Sequence, residues 1–355
     1  MCKHKRSGYT GGMNIFHGVT LADFSTMHLG GPAAHLAEIH NQTELTEALQ
    51  WAKTQNLPVI MIGGGSNIFW RDEGFAGLVL VNHISGYEVY EEDERNVYVT
   101  IGAGENWDSV VARTVEAGLT GIEALSLVPG TAGATPIQNV GAYGQEISQT
   151  LTTVQALDSQ TGELVNIPAS DCAFGYRDSR FKNADRGRFF ITGITLHLTR
   201  GSMQPPFYPA LQQYLTDHAV TEATPANIRE AVIAIRSSKL PDPALVANNG
   251  SFFANPIISQ GQLTQIQADT NLAVPHWPTQ EGLIKVSAAW LVENAGFKDF
   301  HDPETGMSTW AKQSLVLVNE GATTTAQLLA FKQKIVDAVQ AKFGITLVQE
   351  PELLP

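Results

Sequence analysis

The segment Val128-Pro-Gly-Thr-Ala-Gly-Ala-Thr-Pro-Ile-Gln-Asn-Val-Gly-Ala-Tyr-Gly144 constrains this chain more than any other stretch. It has almost nothing bulky to bury, yet it lies between segments that read as packed structure. Gly130, Gly133, Gly141 and Gly144 permit backbone conformations and close approaches that side chains forbid. Thr131, Thr135, Gln138 and Asn139 set polar groups among them, and Pro129 stiffens the entry. A long loop inside a compact domain is either functional or disordered. Val128, Ile137, Val140 and Tyr143 supply apolar anchors that argue for order. The segment reads as a wall built against a large flat ligand, with a turn-rich connector as the alternative.

A second glycine cluster precedes it. Leu57-Pro-Val-Ile-Met-Ile62 is a strand-type apolar run that passes at once into Gly63, Gly64, Gly65, Ser66 and Asn67. Bare backbone N–H groups form an anion-binding concavity, to which a hydroxyl and an amide add hydrogen bonds. The cluster is neither a P-loop nor a dinucleotide fingerprint. Alone it suits a phosphate or pyrophosphate group and a tight turn equally well.

The chain has 355 residues, enough for two or three domains, with 43% hydrophobic and 16% charged residues, the proportions of a globular protein. A net charge of −13 argues against a nucleic-acid partner, which needs a basic footprint. Two cysteines, Cys2 and Cys172, make no disulfide framework. The basic start Met1–Arg6 is not followed by an apolar stretch, and no run approaches membrane-spanning length, so a cytoplasmic protein without membrane contact is expected. Residues 1–13 read as a disordered tail, with Met13 as the true start. The scattered histidines show no ligand spacing, and no metal site is expected.

Along the chain, residues 14–86 alternate short strands with an amphipathic helix opening at Thr43, whose Leu45, Ala48, Leu49 and Ala52 share a face. Residues 87–200 are strand-rich, with strands at 96–101, 152–157, 163–167 and 189–198 and a helix over 107–116 ending at Gly118. Thr224-Pro225 reads as an N-cap and first helical position, opening a helix to about Arg236. Further helices are expected over 260–268, 287–294 and 325–343, the last closed by Gly344. Strands are expected at 314–318 and 345–348.

Gly175-Tyr176-Arg177-Asp178-Ser179 offers a guanidinium held by an aromatic ring and a carboxylate, suited to gripping a planar anion. A surface pair of Arg177 with Asp178 or Asp185 is the alternative. Ser251, after Gly250 and before Phe252 and Phe253, reads as a semi-buried hydroxyl able to donate a proton, or as a serine capping its own turn. Arg236 and Lys239 are two cations at a helix end, suited to an anion or to the helix dipole.

Taken in order, Thr26–Gly31, Gly63–Asn67, Pro129–Gly144, Gly175–Ser179, Arg236–Pro243, Gly250–Pro256, Leu315–Asn319 and Glu350–Glu352 resemble the UDP-N-acetylenolpyruvoylglucosamine reductases of bacterial peptidoglycan precursor synthesis. The resemblance implies an α+β protein: a two-subdomain FAD-binding fold of the PCMH, vanillyl-alcohol-oxidase-like type plus a C-terminal α+β substrate-binding domain. Residues 14–86 and 87–236 would hold FAD, 237–344 would cover the substrate, and 345–355 would return as a strand to the second subdomain. FAD would be bound non-covalently by the two glycine segments and Arg236, with NADPH as co-substrate and a UDP-sugar as substrate of a monomeric enzyme.

The resemblance further implies that Arg177 and Glu352 bind and polarise the substrate carboxylate while Ser251 protonates the carbanion. Tyr208 matches a mobile-loop tyrosine that closes on the diphosphate in one branch of the family, and Lys239, Asn255 and Gln313 match further substrate contacts. Tyr176 reads equally as structural or as a substrate contact. The sequence departs from the family pattern at Trp310, Ala254 and Leu354, where histidine, lysine and a basic residue are usual. A different oxidase on the same FAD-binding fold, or a non-catalytic FAD- or UDP-sugar-binding protein, are the alternative readings.

Overall fold

The computed structural model describes residues 6–10, 13–279 and 282–355. They form two compact units, one from Met1–Val19, Ala33–Gly64 and Phe75–Ser238, the other from Thr20–Pro32, Gly65–Gly74 and Lys239–Pro355. Of the segment 1–13 expected as a tail, residues 1–5 and 11–12 lie outside the described residues, and Arg6–Thr10 forms a strand antiparallel to Met13–Thr20.

The first unit contains two sheets. One has five strands in the order Arg6–Thr10, Met13–Thr20, Pro32–Ile39, Phe75–Asn82, Val59–Ile62. The last three run parallel, so the chain must cross over between them, and α1 (Gln42–Thr54) makes the crossing. Asn41 caps α1 by accepting from Glu44 N, while Glu44 Oε2 accepts from His40 N at 2.7 Å. The helix thus begins one residue before the expected Thr43, because the amide of Asn41 provides the cap. Leu45, Ala48 and Ala52 are its buried stripe, and Phe75–Asn82 is buried almost throughout, as a central parallel strand must be.

The second sheet is antiparallel and six-stranded. Its path runs Leu164–Pro168, Leu151–Asp158, Phe189–Arg200, Asn96–Gly102, Tyr87–Glu91, with Leu119–Thr120 also paired to Phe189–Arg200. Its core is formed by Val97, Val99, Ile101, Val154, Ile194 and Leu196 against Trp107, Val110 and Val111 of α2 (Trp107–Glu116). A smaller core joins α3 (Pro209–Asp217) and α4 (Pro225–Lys239) through Leu211, Leu215, Ile228 and Val232. The sequence reading gave α3 no element, since its apolar pattern is short and begins beside consecutive prolines.

The second unit pairs Asn248–Ser251, Gln313–Asn319, Met307–Trp310 and His301–Asp302 in one sheet, and Ile257–Ile258, Ile284–Val286 and His276–Pro278 in another. Helices α5 (Gln260–Thr270), α6 (Ala288–Asn294) and α7 (Thr325–Phe343) pack on a core containing Phe252, Phe253, Leu291, Leu317 and Phe331. Helix α7 has the limits the sequence predicts, with Gly344 at φ 66° as its left-handed stop. Its N-terminus is held from far upstream: Asp72 accepts from Thr325 N at 2.6 Å and Ala326 N at 2.9 Å. The terminal strand differs from expectation. Ile345–Val348 carries no ladder, and the strand forms at Glu352–Leu354, parallel to Ile68–Trp70. Ile345 and Leu347 turn into the core instead.

Asp72→Ala removes the acceptors of Thr325 N and Ala326 N while leaving the Thr324 cap in place, and should cost about 1 kcal/mol of unfolding free energy, read as a shift of the denaturant midpoint with unchanged slope. Burial pushes the Cys172 thiol up to about 11, so at neutral pH it should resist alkylation in the native protein and react only once the chain is unfolded.

Candidate active site

In the first unit the two glycine segments meet backbone to backbone. A Cβ at Gly63 would collide with Thr131 Oγ1, and one at Gly64 would sit 3.2 Å from Gly130 Cα. At Gly63 a side chain forces Thr131, a short branched residue, to move, and at Gly64 it makes a tight contact with the Gly130 main chain. The second segment is in turn hung on the residues leading into α2. Trp107 N donates to Gly130 O (3.1 Å), Ala132 N to Glu105 O (2.9 Å) and Gly133 N to Ala103 O (2.9 Å). Thr135 Oγ1 donates to Ala132 O at 2.7 Å and is buried. The long loop is therefore ordered, as its apolar anchors predict.

Asn139 adopts φ 48°. Its amide donates to Glu146 Oε2 (2.9 Å) and Gly175 O (3.0 Å) and accepts from Ser148 N (3.1 Å). Its side chain thus ties the wall to the turn that carries Arg177. That turn is fastened again by Ser179 Oγ, which donates to Ile137 O at 2.6 Å. Arg177, at φ 56°, donates from Nη2 to Gly141 O at 2.7 Å and stacks over the Tyr176 ring at 5.1 Å. Asp185, one candidate for a surface pair, is engaged by Arg180 (2.6 Å) and Arg188 (3.4 Å).

Arg236 lies near the end of α4, beside Tyr143. Burial lowers its pKa, opposed by Tyr143 and the charge of Asp108, and its Nε has no hydrogen-bond partner among the described residues. Burial likewise raises the Tyr143 hydroxyl, against the pull of Arg236. The Tyr208 ring meets Tyr143 edge-on at 5.6 Å and stays 39% exposed. The residues fit a planar, anionic nucleotide cofactor: a side-chain-free edge, and a desolvated guanidinium with a donor to spare.

In the second unit Gly65, Ser66 and Asn67 are braced by Asn249, whose amide donates to Thr26 Oγ1 (3.0 Å), Ser66 O (3.3 Å) and Ile68 O (3.2 Å). Ser251 ends its strand exposed, not semi-buried, while Phe252 and Phe253 enter the core. The two rings bury themselves and leave the hydroxyl in solvent. The terminal segment runs alongside: Ala254 N donates to Val348 O (3.0 Å) and Glu350 N to Phe252 O (2.8 Å). Glu352 N then donates to Asn67 O (2.9 Å), so half-buried Glu350 and Glu352 stand on a segment strapped to both Phe252 and Asn67. Asn255 Oδ1 accepts from Ala288 N at 2.9 Å, at the first residue of α6. Gln313 opens its strand half-buried, and Lys239 is exposed at the end of α4. Trp310 leaves its Nε1 without a partner among the described residues.

Residues 33–168 match the FAD binding domain family, and the glycine cradle lies within them. The fold and this domain define an FAD-binding oxidoreductase. Residues 242–354 match the C-terminal domain of UDP-N-acetylenolpyruvoylglucosamine reductase. The chain is 42% identical to the UDP-N-acetylenolpyruvoylglucosamine reductase of Cupriavidus pinatubonensis over 91% of its own length and 94% of the relative's. It is 41% identical to that of Thermobifida fusca, covering 95% of this chain and 97% of the other. The chain belongs to the UDP-N-acetylenolpyruvoylglucosamine reductase family. In fold it resembles the Thermus caldophilus enzyme of that name at TM-score 0.66, with 21% identity and 97% and 99% of the two chains covered. A VAO-type flavoprotein from Myceliophthora thermophila aligns at TM-score 0.50 and 11% identity, over 88% of this chain and 70% of that one.

Asp108, Tyr143 and Asn249 belong to these arrangements but were not singled out as site residues from the sequence. Asp108 looks there like an ordinary acid in a first helical turn, Tyr143 like an anchor and Asn249 like a turn residue. Their partners are distant in the chain, and no local pattern marks them.

Gly63→Ala should strip flavin from the purified protein, seen as loss of its yellow absorbance, because the added methyl meets Thr131 Oγ1. Gly63→Ala combined with Thr131→Ala should regain part of it; equal loss in both would refute a steric cause.

Proposed function

We propose that the chain reduces UDP-N-acetylglucosamine enolpyruvate to UDP-N-acetylmuramate, with NADPH as hydride donor and FAD as carrier, in cytoplasmic peptidoglycan precursor synthesis. The observation that carries the reading is the near-full-length identity to reductases of that name, together with matches to an FAD binding domain and to the reductase C-terminal domain in one chain. Bound FAD would supply hydride, taken from NADPH, to the enolpyruvyl double bond.

The chain's own residues have four tasks. Gly63, Gly64, Gly130 and Thr131 present a bare edge along which a flat ring system can lie, and Arg236 answers an anionic group of the cofactor. Pro129, Gly133, Thr135, Gln138, Asn139 and Gly141 would complete or support that cradle, and Gly65, Ser66 and Asn67 would add backbone and side-chain donors for the cofactor. Arg177 has one terminal nitrogen fixed on Gly141 O, which orients the planar fork toward a carboxylate. Drawing charge onto that carboxylate stabilises the anion that forms when hydride adds to the β-carbon. Glu352, whose N–H donates to Asn67 O, would hold or share a proton during the reaction. Ser251 would donate the proton that completes the saturated α-carbon. Its exposure leaves it open to reprotonation from solvent. Tyr176, Tyr208, Lys239, Asn255 and Gln313 would contact the sugar nucleotide, Asn255 while also holding α6.

An anaerobic stopped-flow experiment tests this reading. NADPH should bleach the flavin, and the enolpyruvyl sugar should restore its colour quickly. Recovery only on admitting oxygen would instead indicate an oxidase of the same fold, and a protein that binds FAD without bleaching would indicate a binding role. Ser251→Ala should leave bleaching intact and slow the return of colour by roughly 10²–10⁴-fold; equal slowing of both phases would remove Ser251 from the proton-transfer step.

A further inference from the structure

Asp108 stands in the first turn of α2, but the cap of that helix is Asn106, which accepts from Ser109 N at 2.9 Å. The Asp108 carboxylate is engaged elsewhere. Oδ1 accepts from Leu127 N at 2.6 Å and from Arg229 Nη1 at 2.7 Å, and Oδ2 from Arg229 Nη2 at 3.0 Å. The pair is largely withdrawn from water, with side chains 27% and 17% exposed. Burial pushes the Asp108 carboxyl up. The Arg229 fork, the Leu127 N–H and the charges of Arg229 and Arg236 outweigh it and hold the group below its ordinary value.

Each partner leads to the cofactor cradle. Leu127, at φ 55°, is the residue before Val128, where the wall begins. Trp107, next to Asp108, donates its N–H to Gly130 O. Arg229 lies on α4, which also carries Arg236. One carboxylate thus serves two guanidinium groups. Arg229 takes its fork, and Arg236 is left with the Tyr143 hydroxyl and an Nε that has no partner among the described residues. Tyr143 is ordinarily neutral, and Asp108, whose charge favours the Arg236 cation, has its oxygens taken by the Arg229 fork and Leu127 N. A buried cation that must share its counter-ion with a second guanidinium is under-neutralised, which is costly, and a ligand can supply the missing charge.

We propose that Asp108 is a positioning residue for the FAD site: it neutralises Arg229 and pins Leu127, which sets the Gly130–Thr131 edge and reserves Arg236 for a phosphate-class group of the cofactor. The proposal rests on the FAD reading above. The test is titration of the deflavinated protein with FAD, followed by flavin fluorescence, with apoprotein melting measured beside it. Wild type is the reference. Failure of wild type to take up FAD would bring down the FAD reading and this proposal together.

With wild type binding, D108N is expected to weaken FAD by about 10–100-fold, the range for losing a charged hydrogen-bonding partner. D108E, which restores the charge, should recover most of the affinity, which a purely structural defect would not. The D108N/R229Q double variant should bind no worse than D108N alone, because residues acting through one pair are not additive. Unchanged affinity in D108N, or effects that multiply in the double variant, would overturn the proposal. Should D108N not fold, R229K asks the same question, since it keeps the charge but loses the fork; about tenfold weaker binding is expected, and wild-type affinity would overturn it.

Discussion

Bare glycine backbone pressed on a facing segment, Gly64 on the Gly130 main chain and Gly63 on the Thr131 side chain, is the contact on which the first unit depends. Ordinary packing between strands and helices leaves side chains between backbones. Here only the short side chain of Thr131 intervenes, and two segments far apart in sequence approach closely enough that a methyl at Gly63 would displace it. Such an approach stands only if both backbones are held from behind. The parallel strand Val59–Ile62 delivers one of them, and the hydrogen bonds from Trp107, Ala132 and Gly133 hold the other. What results is an edge rich in amide groups and poor in bulk, which suits a flat, anionic ligand better than it suits protein.

Much of the fold was legible wherever a local pattern had one reading. Helix α7 shows an apolar stripe, a threonine cap and a terminal glycine, so its limits follow from residues near one another. Helix α2 and the strand before it, Asn96–Gly102, behave likewise. The errors fall where tertiary structure overrides the local pattern. Ile345–Val348 alternates like a strand, yet Ile345 and Leu347 are drawn into the core, Val348 is left exposed, and the ladder forms only beyond Pro351. Helix α3, by contrast, is stabilised mainly by Leu211 and Leu215 meeting α4, which a window around Pro209 does not reveal.

The candidate site divides in the same way. The glycine segments announce themselves because nothing else explains so many glycines beside so few bulky residues. Arg177 and Ser251 were recognisable as chemically able groups, but their settings were not. The guanidinium rests on a carbonyl of the glycine wall and an aromatic face, and the hydroxyl lies open to solvent while its neighbours are buried. Asn139 shows the limit of reading polarity as ligand contact, since its amide is engaged by Glu146, Gly175 and Ser148. Asp108 was invisible for a different reason: its role exists only because Arg229 and Leu127 arrive beside it from distant parts of the chain.

The parallel pairing of Glu352–Leu354 with Ile68–Trp70 also bears on how the protein is made. A ribosome delivers the chain from its N-terminus at about 5–20 residues per second. The first unit has all its parts once Ser238 has emerged, and can close while synthesis continues. The second cannot. Its segments Thr20–Pro32 and Gly65–Gly74 are synthesised early, but Ile68–Trp70 must wait for Glu352–Leu354 far downstream, and Asp72 for Thr325. Until those partners emerge, Phe69 has no completed core to enter, and the nascent chain presents it and its neighbour Trp70, both fully buried in the folded protein, as an aromatic segment for a chaperone to shield.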